Sequence, residues 1–98
     1  MAGTERVAIE NPNSPGWVTR VDADKYRAMK DAIVGVLPAA VPGLTVKELK
    51  HRVLPLLPVS LFPGGAKAGW WLKAVQLDLE AKKLIAREAT KPLRLHRL

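Results

Sequence analysis

The feature that most limits the fold of this 98-residue chain is a helical pattern in its last third that leads into two short alternating segments. Across residues 66–83, apolar side chains recur at three- and four-residue steps, so they lie along one face of a helix. These side chains are Ala68, Trp71, Leu72, Val75 and Leu79. Residues 84–88 and 93–97 then alternate apolar and polar side chains around a Lys-Pro turn, which is typical of a β-hairpin. The sequence therefore predicts a long helix followed by a C-terminal hairpin.

Two further helices are predicted upstream. The first spans residues 22–37, where Asp22 is a good N-cap and Pro38 ends the helix. The second begins at Thr45, because Thr45 and Glu48 have the spacing of a capping box at a helix start. An apolar, proline-rich loop follows, and we expect its large side chains to pack on the core, since exposing them would cost free energy. Those side chains are Leu56, Leu57, Leu61 and Phe62.

The N-terminal segment predicts a second hairpin. Residues 6–11 and 17–21 alternate apolar and polar side chains on either side of a dense turn cluster, Pro12-Asn13-Ser14-Pro15-Gly16. Two strands alone are only marginally stable in water, so this hairpin, or pair of extended arms, must pack on the helical body.

The order of elements predicts an α+β fold. Three helices followed by a hairpin is the winged-helix order, in which the helix before the hairpin is the one that enters a DNA major groove. A short strand near Gly43-Leu44 is expected to pair with the hairpin. We therefore predict one globular unit, with residues 1–21 as an N-terminal hairpin or arm packed on a winged-helix-like domain formed by residues 22–98.

The charge is concentrated in the second half of the chain. Residues 1–49 hold six Lys or Arg and six Asp or Glu, whereas residues 50–98 hold ten and three, so the second half carries the whole net charge of +7. This asymmetry favours a basic surface with a polyanionic partner such as duplex DNA. The alternative is a solvated surface that only keeps a basic protein in solution.

Several classes of protein are disfavoured by composition. The chain has no cysteine, so disulfides and Cys-based zinc sites are excluded. Its longest apolar tract, residues 32–44, is interrupted by Pro and Gly and is too short to span a bilayer. The first residues lack an apolar stretch of signal-peptide length, and we expect a cytoplasmic protein. His51 and His96 have no acidic cluster near them in the sequence. We therefore expect no enzyme, no cofactor and no metal site.

Two surfaces are candidates for binding. The first is the outward face of the third helix, where lysine and glutamine suit phosphates and base edges and Trp70 suits stacking on a base. The second is the C-terminal hairpin, whose arginines suit the duplex backbone. The candidate nucleic-acid contacts are Lys67, Trp70, Lys73, Gln76, Arg87, Lys91, Arg94 and Arg97. The hairpin charges have a second interpretation, because charges on an edge hairpin also prevent strand-to-strand aggregation.

Trp70 and Leu77 are unusual on a water-facing helix surface. The N-terminal hairpin, through Trp17, or a second subunit is expected to cover them. The alternative function is therefore a protein-interaction or self-association module, for instance a homodimer, that uses the Trp70/Leu77 face without catalysis.

Four strings of residues carry a resemblance to a known family. They are Phe62-Pro63-Gly64-Gly65-Ala66-Lys67, Gly69-Trp70-Trp71, Val75-Gln76-Leu77-Asp78-Leu79-Glu80 and Thr90-Lys91-Pro92-Leu93-Arg94. With them, the chain from about Val7 onward resembles a family of small uncharacterised bacterial proteins. The resemblance implies a winged-helix-like fold and no established activity. Gly69, Trp70 and Trp71 stand where DNA-reading helices display several polar residues, which disfavours direct base readout and favours backbone binding or protein contact.

Overall fold

The computed structural model describes residues 5–98 and contains three helices and two small antiparallel sheets, which confirms the predicted α+β class. The strands are β1 (Arg6–Glu10), β2 (Val18–Asp22), β3 (Leu44–Thr45), β4 (Ile85–Glu88) and β5 (Arg94–Arg97). The helices are α1 (Ala23–Val36), α2 (Val46–Val53) and α3 (Ala68–Ala81). Residues 1–4, which the predicted N-terminal arm includes, lie outside the described residues.

α3 is two residues shorter at each end than the pattern predicts, and the backbone explains both differences. Gly64 and Lys67 have φ values of 62° and 59°, so the chain is still turning just before the helix begins at Ala68. At the other end Lys83 adopts φ 60°, and the N–H of Leu84 donates to the Leu79 carbonyl at 2.9 Å. A left-handed residue with this type of hydrogen bond ends a helix.

The predicted capping box of α2 is present. The Glu48 N–H donates to the Thr45 hydroxyl at 3.1 Å, and the Thr45 N–H donates to the Glu48 carboxylate at 2.9 Å. The hydrogen bond from the Thr45 N–H also lowers the pKa of Glu48 from its ordinary value. Two unpaired N–H groups of the helix start are satisfied in this way.

Removing the Thr45 hydroxyl is expected to cost about 1 kcal/mol of the free energy of unfolding, because the N–H of Glu48 then lacks its capping partner. Urea unfolding of Thr45→Ala, followed by circular dichroism, measures this loss. Thr90→Ala is the control, since Thr90 is exposed and lies outside the helices, and it should change stability by less than about 0.5 kcal/mol.

The two sheets are small and separate. β1 and β2 form an antiparallel hairpin in which Arg6 lies opposite Asp22. β5 is the central strand of the other sheet, between β3 and β4, with Leu44 opposite Leu95. β3 is therefore the short strand that was expected near Gly43-Leu44.

One hydrophobic core joins the N-terminal hairpin, the helices and the three-stranded sheet. Its largest fully buried apolar side chains are Ile9, Met29, Ile33, Leu49, Val53, Val75, Leu79, Ile85 and Leu95. The proline-rich loop contributes Leu57 and Phe62, as predicted, and Leu61 is half-buried. The prediction is wrong for Leu56, which is 55% exposed, because the turn after α2 directs it away from the core.

Candidate functional site

The N-terminal hairpin and α3 form the two walls of an apolar groove with a volume of about 250 Å³, which we name the tryptophan groove. It is lined by Ile9, Glu10, Asn11 and Trp17 from the hairpin side and by Gly69, Trp70, Lys73, Ala74 and Leu77 from α3. Trp70, Lys73 and Leu77 lie on the face of α3 that points away from the core, so the hairpin runs beside the outward face of this helix.

The two groove tryptophans are each about half exposed. The exposed fraction is 55% for Trp70 and 46% for Trp17. The Trp70 ring is held edge-on against the buried ring of Trp71, with 5.1 Å between the centroids. The hairpin therefore flanks Trp70 without covering it, whereas Leu77 is half-buried. The prediction that the hairpin covers Trp70 is wrong in this respect.

A second groove, of about 500 Å³, lies between α2, α3 and the C-terminal hairpin, and we name it the lysine groove. Its lining includes three cationic side chains, one from each of these elements: Lys50, Lys73 and Arg87. No acidic residue is among the lining residues within the described part of the chain. Gly69, Lys73 and Leu77 line both grooves, so the two share a wall along α3.

The cations of the lysine groove differ in how far they are neutralised. Lys50 and Lys73 are exposed and form no ion pair within residues 5–98. Arg87 instead donates two hydrogen bonds to the Glu80 carboxylate, at 2.6 and 3.0 Å, and this partner raises the pKa of Arg87. The two lysines therefore supply the uncompensated positive charge of the groove.

Lys50 lies beside the beginning of α3. A Cβ atom on Gly69 would be 3.6 Å from the Lys50 Nζ. No side chain of the described residues caps α3, whose first residue is Ala68, so the helix start adds its own partial positive charge near this ammonium group.

The structure brings together only part of the predicted nucleic-acid contact set. Lys73 and Arg87 line the lysine groove, as does the buried Gln76, and Trp70 lies in the adjoining tryptophan groove. Lys67 and Lys91 are exposed but line neither groove. The late-chain cations therefore do not all gather on one face.

Three predicted contacts have other partners within the chain. Gln76 is buried, and its amide donates to Glu80 at 3.0 Å, so its expected outward position is wrong. Arg94 donates to the Gly43 carbonyl at 3.0 Å, and Arg97 donates to the Leu37 carbonyl at 3.3 Å. Arg94 is therefore directed toward the start of β3, and Arg97 toward the end of α1.

A buried polar cluster that the sequence analysis missed fixes the N-terminal hairpin to α3. The carboxylate of Asp78 is fully buried and accepts hydrogen bonds from the Tyr26 hydroxyl at 2.5 Å and the Glu10 N–H at 2.9 Å. The Lys82 ammonium lies 2.7 Å from both carboxylate oxygens. The sequence contains a signal for this burial, because the helical period places Asp78 on the same face of α3 as the buried Trp71 and Val75.

The Tyr26 hydroxyl in this cluster stays protonated. Burial, together with the hydrogen bond to the Asp78 carboxylate, raises the pKa of Tyr26 well above its ordinary value. A tyrosine that acts as a base or nucleophile needs the opposite shift. The cluster is therefore a structural link between α1, β1 and α3.

Other chemical groups of the described residues are scattered. His51 is exposed, and the Nδ1 atom of the buried His96 lies 3.7 Å from Glu88. Among residues 5–98, no three His, Asp or Glu side chains are grouped to hold a metal ion. In the same part of the chain, no helix has the length and apolar character needed to cross a bilayer.

The fold and the two grooves define the class of protein. Within the described residues it is a small α+β domain of three helices and two antiparallel sheets. Its last helix forms the wall between an apolar groove and a cationic groove. The chain belongs to a family of unknown function, DUF6958, whose model matches residues 6–95. This match confirms the resemblance to an uncharacterised family. No curated protein and no solved structure matches the chain.

Proposed function

We propose that this chain is a winged-helix-like, non-catalytic binding module whose lysine groove holds the phosphates of a nucleic acid. The observation that carries the proposal is that Lys50 and Lys73 lie in one groove where, among residues 5–98, neither ammonium group has an ion-pair partner and no lining residue is acidic. Binding of phosphates by Lys and Arg, with release of counterions, is the dominant source of sequence-independent affinity for nucleic acids.

The order and pairing of the elements support the winged-helix-like part of the proposal. α1, β3, α2 and α3 precede the β4–β5 hairpin, and β3 pairs with β5, the second strand of that hairpin. The lysine groove lies between α2, α3 and this hairpin, and α3 holds the place of the helix that contacts DNA in winged-helix proteins.

Phosphate binding is favoured over the reading of base edges. Gln76, the side chain best suited to recognise adenine, is buried and bonded to Glu80. Arg87, which suits guanine, is engaged by the same carboxylate. The groups that remain available are flexible ammonium groups, which act as point charges and carry little sequence information.

Titration of the full chain with fluorescently labelled DNA, read as anisotropy, tests the proposal. We expect binding at about 50 mM salt that weakens as salt rises, because counterions compete for the phosphates. Lys73→Gln and Lys50→Gln should each weaken binding. Each should also lower the magnitude of the salt slope, the slope of the logarithm of the binding constant against the logarithm of the salt concentration, by about 0.7–0.9, which is the contribution of one phosphate contact.

Lys30→Gln is the matched control, because Lys30 lies on α1 and lines neither groove. It removes the same charge and should leave the salt slope unchanged. Equal losses from all three variants would mean that only net charge attracts the nucleic acid. Absence of binding to both single-stranded and duplex DNA at low salt would contradict the proposal altogether.

A second candidate function, protein interaction or self-association, is favoured by the half-exposed apolar groove around Trp70. Large apolar side chains at the edge of a groove are typical anchors of protein interfaces. Sedimentation at high protein concentration tests it: a dimer that Trp70→Ser abolishes would support self-association, and a monomer would count against it.

A further inference from the structure

We infer that the nucleic acid is single-stranded and that one of its unstacked bases lies in the tryptophan groove against Trp70 and Trp17. This inference rests on the proposed function, since the phosphates on either side of that base would be held in the lysine groove. Three observations carry it: the hairpin beside α3, the size and lining of the tryptophan groove, and the wall that the two grooves share.

The N-terminal hairpin prevents α3 from entering a duplex. The major groove of B-DNA is about 12 Å wide, which only just admits an α-helix of about 10–12 Å diameter. Here the hairpin runs beside the outward face of α3, and its turn at Asn13 lines the lysine groove together with Lys73 and Arg87. A helix with strand β1 fastened along its flank is too thick for that groove.

The hairpin is held firmly in this position. The Glu10 N–H is bonded to the buried Asp78 of α3, and Ile9 is part of the core. Moving the hairpin away would remove one of the hydrogen-bond donors of a buried carboxylate and expose apolar surface. The duplex is therefore excluded by a stable element of the fold.

The tryptophan groove suits a single base. Its volume of about 250 Å³ lies below the range of about 300–1,000 Å³ that is usual for drug-sized ligands, so it accommodates a small planar group. Half-exposed indoles beside lysines are the combination with which proteins bind single strands, because every base has a face that stacks on an aromatic ring.

The charges at the two grooves are complementary to one strand. Lys73 lies on the shared wall, and the Lys50 ammonium lies beside Gly69 of the same wall, so both are near the path of a backbone that passes between the grooves. Glu10 is the one acidic residue among the described lining residues of the tryptophan groove, where it suits the amino groups of a base better than a phosphate.

The experiment compares three labelled DNAs with the full chain at about 50 mM salt: a short mixed single strand, its duplex, and a strand of equal length without bases. We expect the single strand to bind at least about fivefold more tightly than the other two, the contribution of one stacked base. Its binding should also quench tryptophan emission, because Trp17 and Trp70 are half exposed.

Trp17→Leu and Trp70→Leu should each weaken binding of the single strand about fivefold or more and leave binding of the base-free strand unchanged. Leu56→Ala is the control, because Leu56 is as exposed as Trp70 but lines neither groove. The comparison of DNAs and the quenching use the unmodified chain, so they decide the question even if a tryptophan variant fails to fold.

The outcomes separate the two proposals. Equal affinity for all three DNAs, with the loss caused by Lys73→Gln retained, would overturn the base site and keep phosphate binding. No binding to any DNA would overturn both. A dimer of the chain alone that Trp70→Leu dissociates would show that a second copy covers the groove, and this would overturn the base site.

Discussion

Replacing Asp78 with alanine is expected to lower the free energy of unfolding by about 2–5 kcal/mol, because each donor left without its partner costs about 1–3 kcal/mol. The Asp78 carboxylate accepts from the Tyr26 hydroxyl, the Glu10 N–H and the Lys82 ammonium. Its loss leaves the buried Tyr26 hydroxyl and the partly buried Glu10 N–H without partners, and each unsatisfied group adds a desolvation cost. The hairpin should also pack less firmly on α3.

Urea unfolding of Asp78→Ala measures the first effect, and hydrogen exchange at the β1 amides measures the second. Asp31→Ala is the matched control, because Asp31 is an exposed aspartate of α1 and should change stability by less than about 0.5 kcal/mol. When Asp78→Ala is combined with Tyr26→Phe, the free energy of unfolding should fall by less than the sum of the two single effects, since both residues belong to one cluster. Additive losses, or a cost of Asp78→Ala similar to the control, would contradict this account.

Replacing Gly43 with alanine is expected to cost about 2–5 kcal/mol, because backbone strain and a steric clash act together. Gly43 has φ 87°, which side chains rarely tolerate. A Cβ atom there would lie 1.9 Å from the Leu95 carbonyl oxygen, far inside contact distance. The backbone must shift to relieve the clash, and this shift disrupts the pairing of Leu44 with Leu95.

Gly35→Ala is the matched control, and it should raise the free energy of unfolding instead of lowering it. Gly35 lies in α1 with nothing within 4 Å of an added Cβ atom, so alanine should stabilise the chain by about 0.5–1 kcal/mol. Urea unfolding of the two variants measures both changes. If Gly43→Ala were tolerated as well as Gly35→Ala, this would contradict the close contact between Gly43 and the Leu95 carbonyl of β5.

The two stability predictions bear on the proposed site. Asp78 fixes the N-terminal hairpin beside α3, and this hairpin forms one wall of the tryptophan groove. Gly43 allows β3 to pair with β5, the strand that joins β4 in the sheet beside the lysine groove. A variant that loosens either contact should therefore affect nucleic-acid binding through the shape of the grooves.

The elements of this protein follow from local sequence patterns. The apolar periodicity around Trp71 and Val75 predicts α3, and the spacing of Thr45 and Glu48 predicts the start of α2. These signals lie within one or two turns of the chain, so they do not depend on distant residues. The N-terminal and C-terminal hairpins follow for the same reason, because alternation and turn residues are local.

The site depended on contacts between distant segments. Sequence indicated that Trp70 and Lys73 lie on the outward face of α3, but only the tertiary structure placed Lys50 of α2 and the N-terminal hairpin beside that face. It also showed Gln76 bonded to Glu80 and Asp78 bonded to Tyr26. A helical pattern determines the direction of each side chain, whereas its exposure and charge partners are set by what packs against the helix.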